Sequence, residues 1–185
     1  MLREHITDYE PYNEQEMRDR QIMLRIMDSC DDYLLRSNET AHFTASAWVV
    51  NHDRSKVLLI HHNIYNAWTW TGGHADGEED LLQTALREVR EETGLANIKP
   101  VNRDIFSIEI ITVDGHIKSG RYVSSHLHLN VTYLIEADED EALHIKADEN
   151  SAIGWFEPEK LDMLSDEKWM KELVYAKLQD KLKGE

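Results

Sequence analysis

A chain of 185 residues with 41% apolar residues is long enough for one ordinary domain with its own core. Lys and Arg number 20 against 36 Asp and Glu, a formal charge of −16 with no basic cluster, which excludes a nucleic-acid polymer as partner because phosphate backbones are bound through local positive charge. A small phosphorylated substrate is not excluded, since a bound divalent cation supplies positive charge at the point of contact.

Cys30 is the lone cysteine, so no intrachain disulfide forms. The opening MLREHITDYEPYNEQEM lacks the apolar core of a signal peptide, and no later run is long enough to cross a bilayer. A cytoplasmic protein without a membrane partner is expected.

In chain order, Met23, Ile26, Met27, Cys30 and Leu34 recur at helical spacing and predict an amphipathic helix from about Asn13 to Arg36. Its stripe covers either the chain's own sheet, the preferred reading, or a second subunit, so monomer and homodimer both stand open. FTASAWVV (Phe43 to Val50) and KVLLIHH (Lys56 to His62) are β-prone runs joined by a hairpin-length connection, NHDRS. The loop NIYNAW leads to a glycine turn at Gly72-Gly73, and a helix follows as far as Leu95. IFSIEIITV then ends at the turn dipeptide Asp114-Gly115, SSHLHLNVTYLIEA alternates as a long strand, and SAIGWFE reads as another. A short helix is expected near Glu159 to Leu164 and a longer one from about Asp166 to Leu182. The acidic run EADEDEALHIKADEN lacks the spaced pattern and central glycine of an EF-hand and reads as a solvated connection. Interleaved strands and helices with local hairpins make this a mixed-sheet α+β or α/β domain. Residues 1–40 are expected to form a helical extension packed on a domain of residues 41–185.

The helix after the glycines carries the chemistry. At about 100° per residue, Leu82, Ala85, Leu86 and Val89 form one stripe, and Glu88, Glu91 and Glu92 fall on an adjoining one. In a partly enclosed site such carboxylates repel by roughly 3 kcal/mol per pair, a repulsion that a divalent cation reverses. Oxygen ligands of this kind suit Mg²⁺ or Mn²⁺. Gly72-Gly73 brings backbone close to a ligand, Glu78, Glu79 and Asp80 suit the positive end of the helix dipole, and Gly94 suits a left-handed C-cap.

Gly73, Glu79, Arg87, Glu88, Val89, Glu91, Glu92, Gly94 and Leu95 fill every specified position of a motif that resembles the Nudix box, and the resemblance runs from about Ala41 to Leu164. It implies a mixed β-sheet sandwiched between helices, an α/β/α sandwich, and a metal-dependent hydrolase that splits a diphosphate linkage in a nucleoside diphosphate derivative or nucleoside triphosphate. Carried over by position, Glu88 and Glu92 are the principal metal ligands, Glu91 a further one, and the Gly72 carbonyl a possible backbone ligand. Arg87 orients the glutamates, with Glu79 among its candidate partners. Thr71 departs from the proline common before the glycine pair, which alters the stiffness of the turn and touches no catalytic group.

The general base in this family comes from the box or from a later loop. Glu149, in ADENSAIGW, is an outside candidate, set against the plainer reading of a solvated acid. His61, His62, His74, His126 and His128 invite a zinc reading, but without cysteine partners or HExxH spacing, substrate-pocket lining (His74, His126, His128) or a polar strand face is preferred. Trp68 and Trp70 either stack on a base or simply pack. The proline and tyrosine tags of the ADP-ribose and dinucleoside polyphosphate subgroups are missing, so the substrate stays open. Two alternatives remain: a non-catalytic nucleotide sensor, which would lose box glutamates, and an isopentenyl-diphosphate-isomerase-like enzyme, which needs an active-site cysteine.

Overall fold

A computed structural model describes residues 2–64, 66–118, 120–163 and 168–184. The chain opens with α1 (Leu2–Asp8), too short to show periodicity in the sequence, and α2 (Glu14–Ser29). Asn13 caps α2, its side-chain oxygen accepting the Glu16 amide at 3.0 Å. The helix ends at Cys30, short of the expected Arg36, because the short polar residues that follow form their own local bonds. Leu35 donates its amide to the Asp32 carbonyl, and the Asn38 side chain donates to that of Asp32. Met23 and Met27 are buried in the chain's own core, so this part of the stripe covers the chain itself.

The described residues form an eight-stranded mixed sheet around β1 (Ala41–Val50). β1 is buried along its whole length, although its first half alternates apolar residues with the polar His42, Thr44 and Ser46. It pairs antiparallel with β2 (Val57–His62), which carries β3 (Ala67–Thr69), and with β4 (Thr71–His74). Gly72 and Gly73 thus lie within a strand, correcting the expected turn. The turn comes later, at Asp76-Gly77, where both residues have positive φ. α3 (Leu81–Thr93) follows, then the short β5 (Ile98–Pro100) and β6 (Ser107–Val113).

Asp114-Gly115 leads into a small separate hairpin, β7 (His116–Lys118) with β8 (Arg121–Val123), instead of turning straight into the long strand. Its two strands have three residues each, too few for a clear alternating signal. The long strand is β9 (His126–Ala137), parallel to β1 in register from Ala41↔Leu127 to Val50↔Glu136. β10 (Asn150–Phe156) pairs with β2 at the sheet edge. The expected short helix is a 3₁₀ helix over Pro158–Met163, and the last one is helical at Lys168 and Trp169, passes through a π-helical stretch, Met170–Tyr175, and continues as α4 (Ala176–Leu182). Leu164, Asp166 and Glu167 lie outside the described residues.

Pleating sends Ala41, Phe43, Ala45, Ala47 and Val49 into a core shared with Ile6, Met23, Leu82 and Val89, so α1, α2 and α3 contribute to one core. Trp48 and Val50 point the other way, into a second core closed by Val174 and Leu178 of the C-terminal helix. The sheet is therefore sandwiched between helices, as expected. His42, Thr44 and Ser46 share the Trp48 face beyond the reach of that second core, and there they line a cleft. Among the described residues no helix is long and apolar enough to cross a membrane.

Candidate active site

α3 buries Leu81, Leu82, Ala85, Leu86 and Val89 and ends at Gly94, whose φ of +75° is the left-handed cap foreseen from the sequence. With its leucines fixed on the core, the adjoining stripe of Glu88, Glu91 and Glu92 borders the cleft. Glu92 is only 2% exposed, and its Oε2 accepts the Gly72 amide at 3.0 Å. Burial pushes its carboxyl up to about 8, and the Glu88 and Glu149 charges push the same way; the Gly72 amide and Lys146 oppose them.

Glu88 lies so close to β4 that a Cβ on Gly73 would stand 2.4 Å from its Cδ. Gly72 is equally confined: a Cβ there would stand 2.6 Å from the Ser46 Oγ and 2.7 Å from the Ala45 carbonyl oxygen. These approaches, and not a turn, are why both positions need glycine. Arg87 donates from Nη2 to Glu88 at 2.9 Å and to the His74 carbonyl at 3.4 Å, while its Nε stands 3.8 Å from the Glu91 carboxylate. Its contacts among the described residues do not include Glu79. Lys146 pairs with Glu149 at 3.0 Å and lies 3.7 Å from Glu91. Two cations therefore serve four carboxylates, one of them buried, and this donor set fits a hard divalent cation.

The cleft, of about 1210 Å³, brings together every site residue named from the sequence: Trp68, Trp70, Gly72, His74, Arg87, Glu88, Glu91, Glu92, His126, His128 and Glu149. The tryptophans differ. Trp70 is buried edge-on against Tyr175, whereas Trp68 is half-buried, edge-to-face with Phe156 at 4.6 Å, and lies along the cleft. The His42 ring meets those of His74, His126 and His128, and the His128 ring meets those of His74 and His126, with centroids about 5 Å apart. Burial pushes His74 down to about 3 and His128 to about 2, so both are neutral imidazoles at physiological pH. His61 lies apart from them, bonded to Ser151.

The cleft floor adds His42, Thr44, Ser46 and Asn130, which no sequence motif singles out. For His42, Thr44 and Ser46 the signal is present as polar residues at alternate positions of the otherwise apolar β1, while Asn130 comes from β9. Lys118 and Tyr122 of the hairpin also line the cleft. Cys30, at the end of α2, does not.

The chain belongs to the NUDIX domain family, whose model matches residues 40–177, and is a Nudix-type hydrolase acting on phosphorus-containing anhydrides. Among its relatives, a "Probable DHNTP pyrophosphohydrolase" of Lactococcus lactis subsp. cremoris is 29% identical over 122 residues, 65% of this chain and 69% of that protein. The mouse bis(5'-nucleosyl)-tetraphosphatase (asymmetrical) is 31% identical over 113 residues, 60% of this chain and 67% of that protein. Among solved structures, a NUDIX-family hydrolase from Clostridium perfringens superposes with a TM-score of 0.56 at 22% identity, covering 77% of this chain and 96% of that one. An Ap4A hydrolase from C. elegans gives a TM-score of 0.56 at 20% identity over 77% of this chain and 99% of that one.

Proposed function

We propose that this protein uses Mg²⁺ or Mn²⁺ to cleave the diphosphate linkage of a nucleoside diphosphate derivative or nucleoside triphosphate, by attack of water on phosphorus. The observation that carries this reading is the buried Glu92 carboxylate, held by the Gly72 amide at 3.0 Å on the same helical stripe as Glu88. Glu88 and Glu92 would hold the ion, with Glu91 and the Gly72 carbonyl as further ligands. A bound ion neutralises charge on the phosphate oxygens and aligns the nucleophile. Arg87, anchored on the His74 carbonyl, keeps Glu88 oriented through its Nη2 bond.

Glu149 lines the same cleft and is near enough to raise the Glu92 carboxyl, which supports it as the group that takes the proton from water. Trp68 offers a ring for the base. Lys118 and Lys146, also on the cleft wall, favour a substrate with several phosphates. The free Cys30 and the acidic composition support action in the cytoplasm on small nucleotide-derived molecules.

The test is a panel of nucleoside triphosphates (oxidised ones included), nucleotide sugars, ADP-ribose, DHNTP and bis(5'-nucleosyl) tetraphosphates with Mg²⁺ or Mn²⁺, scored for released phosphate species. Cleavage of one class, lost on chelation, is expected. Binding without turnover across the panel would favour a sensor. Cys30 lies outside the cleft lining, which argues against isomerase chemistry.

A further inference from the structure

The cleft also holds a group of nitrogen donors built by strands and not by α3: His42 on β1, His74 at the end of β4, and His126 and His128 at the start of β9. His42 is 4% exposed, and its Nδ1 lies 2.9 Å from the Asn38 carbonyl oxygen. A carbonyl only accepts, so Nδ1 carries the proton and Nε2 is a bare lone pair. That buried Nε2 has no hydrogen-bond partner, an arrangement with a real desolvation cost.

A lone pair fixed by a proton-donating contact on the opposite ring nitrogen is how proteins orient a metal-binding histidine. His126 repeats only the first half of the pattern: its Nδ1 lies 2.8 Å from the Ser124 carbonyl oxygen, and its Nε2 accepts at 3.2 Å from Nε2 of His128, a bond that a metal on that His128 nitrogen would replace. Ligand atoms of His42, His74 and His128 all lie within 4.8 Å of one another. Bonds of about 2.0 to 2.1 Å in a tetrahedron space donors about 3.3 Å apart, so inward movement of the half-buried His74 and His128 rings by about an ångström closes the set.

We propose that His42, His74 and His128 bind one divalent transition-metal ion of the zinc class, Zn²⁺, Co²⁺ or Ni²⁺, at a site separate from the glutamates. Imidazole nitrogen selects such ions, whereas the carboxylate oxygens of α3 suit Mg²⁺ and Mn²⁺, so one cleft carries two sites of different metal preference. Three protein ligands leave a fourth position for water, a substrate phosphate oxygen or His126. The lack of cysteine partners, which weakens a zinc reading of the sequence, loses its force once His42 supplies the third imidazole.

The test uses the whole chain, stripped with chelator and carrying Glu88→Gln and Glu92→Gln, so that the carboxylate site is disabled and the result does not depend on hydrolysis. Titration with Co²⁺ is expected to give a visible absorption band of a four-coordinate ion at one equivalent per chain, displaced by Zn²⁺. Adding His74→Gln or His128→Gln is expected to weaken binding on the order of 100-fold or more. Both histidines are only half-buried, so these variants are expected to fold, with circular dichroism as the check. Absence of a band and of bound Zn²⁺, or unchanged affinity in both histidine variants, overturns the site. Loss of turnover in the hydrolysis panel would leave it standing.

Discussion

A carboxylate that is 2% exposed and faces other carboxylates destabilises the metal-free protein whenever it is ionised. Glu92→Gln removes that charge and keeps an oxygen for the Gly72 amide, so it should fold normally while losing metal-dependent turnover on the order of 1000-fold, read in a hydrolysis assay. The same substitution has a signature in stability. The Glu92 carboxyl is raised from its ordinary 4.5 to about 8, so the folded state keeps a proton that the unfolded state has released. Its contribution is full below pH 4.5 and is lost as pH rises through about 8. In chelator, the melting temperature of Glu92→Gln should therefore match that of the parent at pH 4 and exceed it increasingly up to pH 8. A gap that closes with rising pH would contradict this assignment.

β4 shows how two adjacent glycines serve different ends. Alanine at position 72 would press its Cβ within 2.7 Å of the Ala45 carbonyl oxygen, backbone that belongs to the central strand and cannot yield cheaply. Alanine at position 73 would meet the far end of the Glu88 side chain, which can swing away. Gly72→Ala should thus lower stability by about 1 to 3 kcal/mol in denaturant melts, while Gly73→Ala should leave stability nearly intact and cut turnover by displacing Glu88. These roles were not legible in the sequence, where a glycine pair before a helix reads as a turn. α3 itself was legible, because its apolar and acidic stripes both follow a 3.6-residue period and its end is marked by Gly94. The apolar period overshoots α2 because Leu34 continues it although the backbone has already left the helix at Cys30. His42 carries no signal in the sequence, because one histidine in a strand says nothing until β4 and β9 bring His74 and His128 beside it.

The longer helices and strands could be read locally, but the short ones, α1, β3, β4, β5 and the β7–β8 hairpin, and what ties the two ends of the chain together could not. Glu16 of α2 and Glu109 of β6, neither exposed, meet Lys177 of α4 at 3.1 and 3.0 Å. Lys181 adds a second cation at 3.1 Å from Glu16, and Tyr9 donates its hydroxyl to Glu16 at 2.6 Å. The network continues from Glu109 through the Asn130 amide at 3.0 Å to the hydroxyls of Thr44 and Ser46, which donate to Asn130 on the cleft floor. The helices at both ends of the chain thereby brace the strands that carry the site. Buried charges of this kind are costly to orphan. Lys177→Met should destabilise the fold by about 3 to 5 kcal/mol, a drop on the order of 10 °C in melting temperature. Acid provides the sign test. Burial raises the Glu16 carboxyl, but Lys177, the Tyr9 hydroxyl, the Tyr12 amide and Lys181 together outweigh it, and the net shift is downward from 4.5. A depressed carboxyl stabilises the fold above its ordinary value, and that stability is lost as pH falls through the lower folded value. Urea melts from pH 7 to pH 3 should therefore show the parent weakening at the acid end. In Lys177→Met, where burial of Glu16 is no longer offset to the same degree, that acid loss should shrink or reverse, so a variant with the same acid slope as the parent would place the source of the dependence elsewhere.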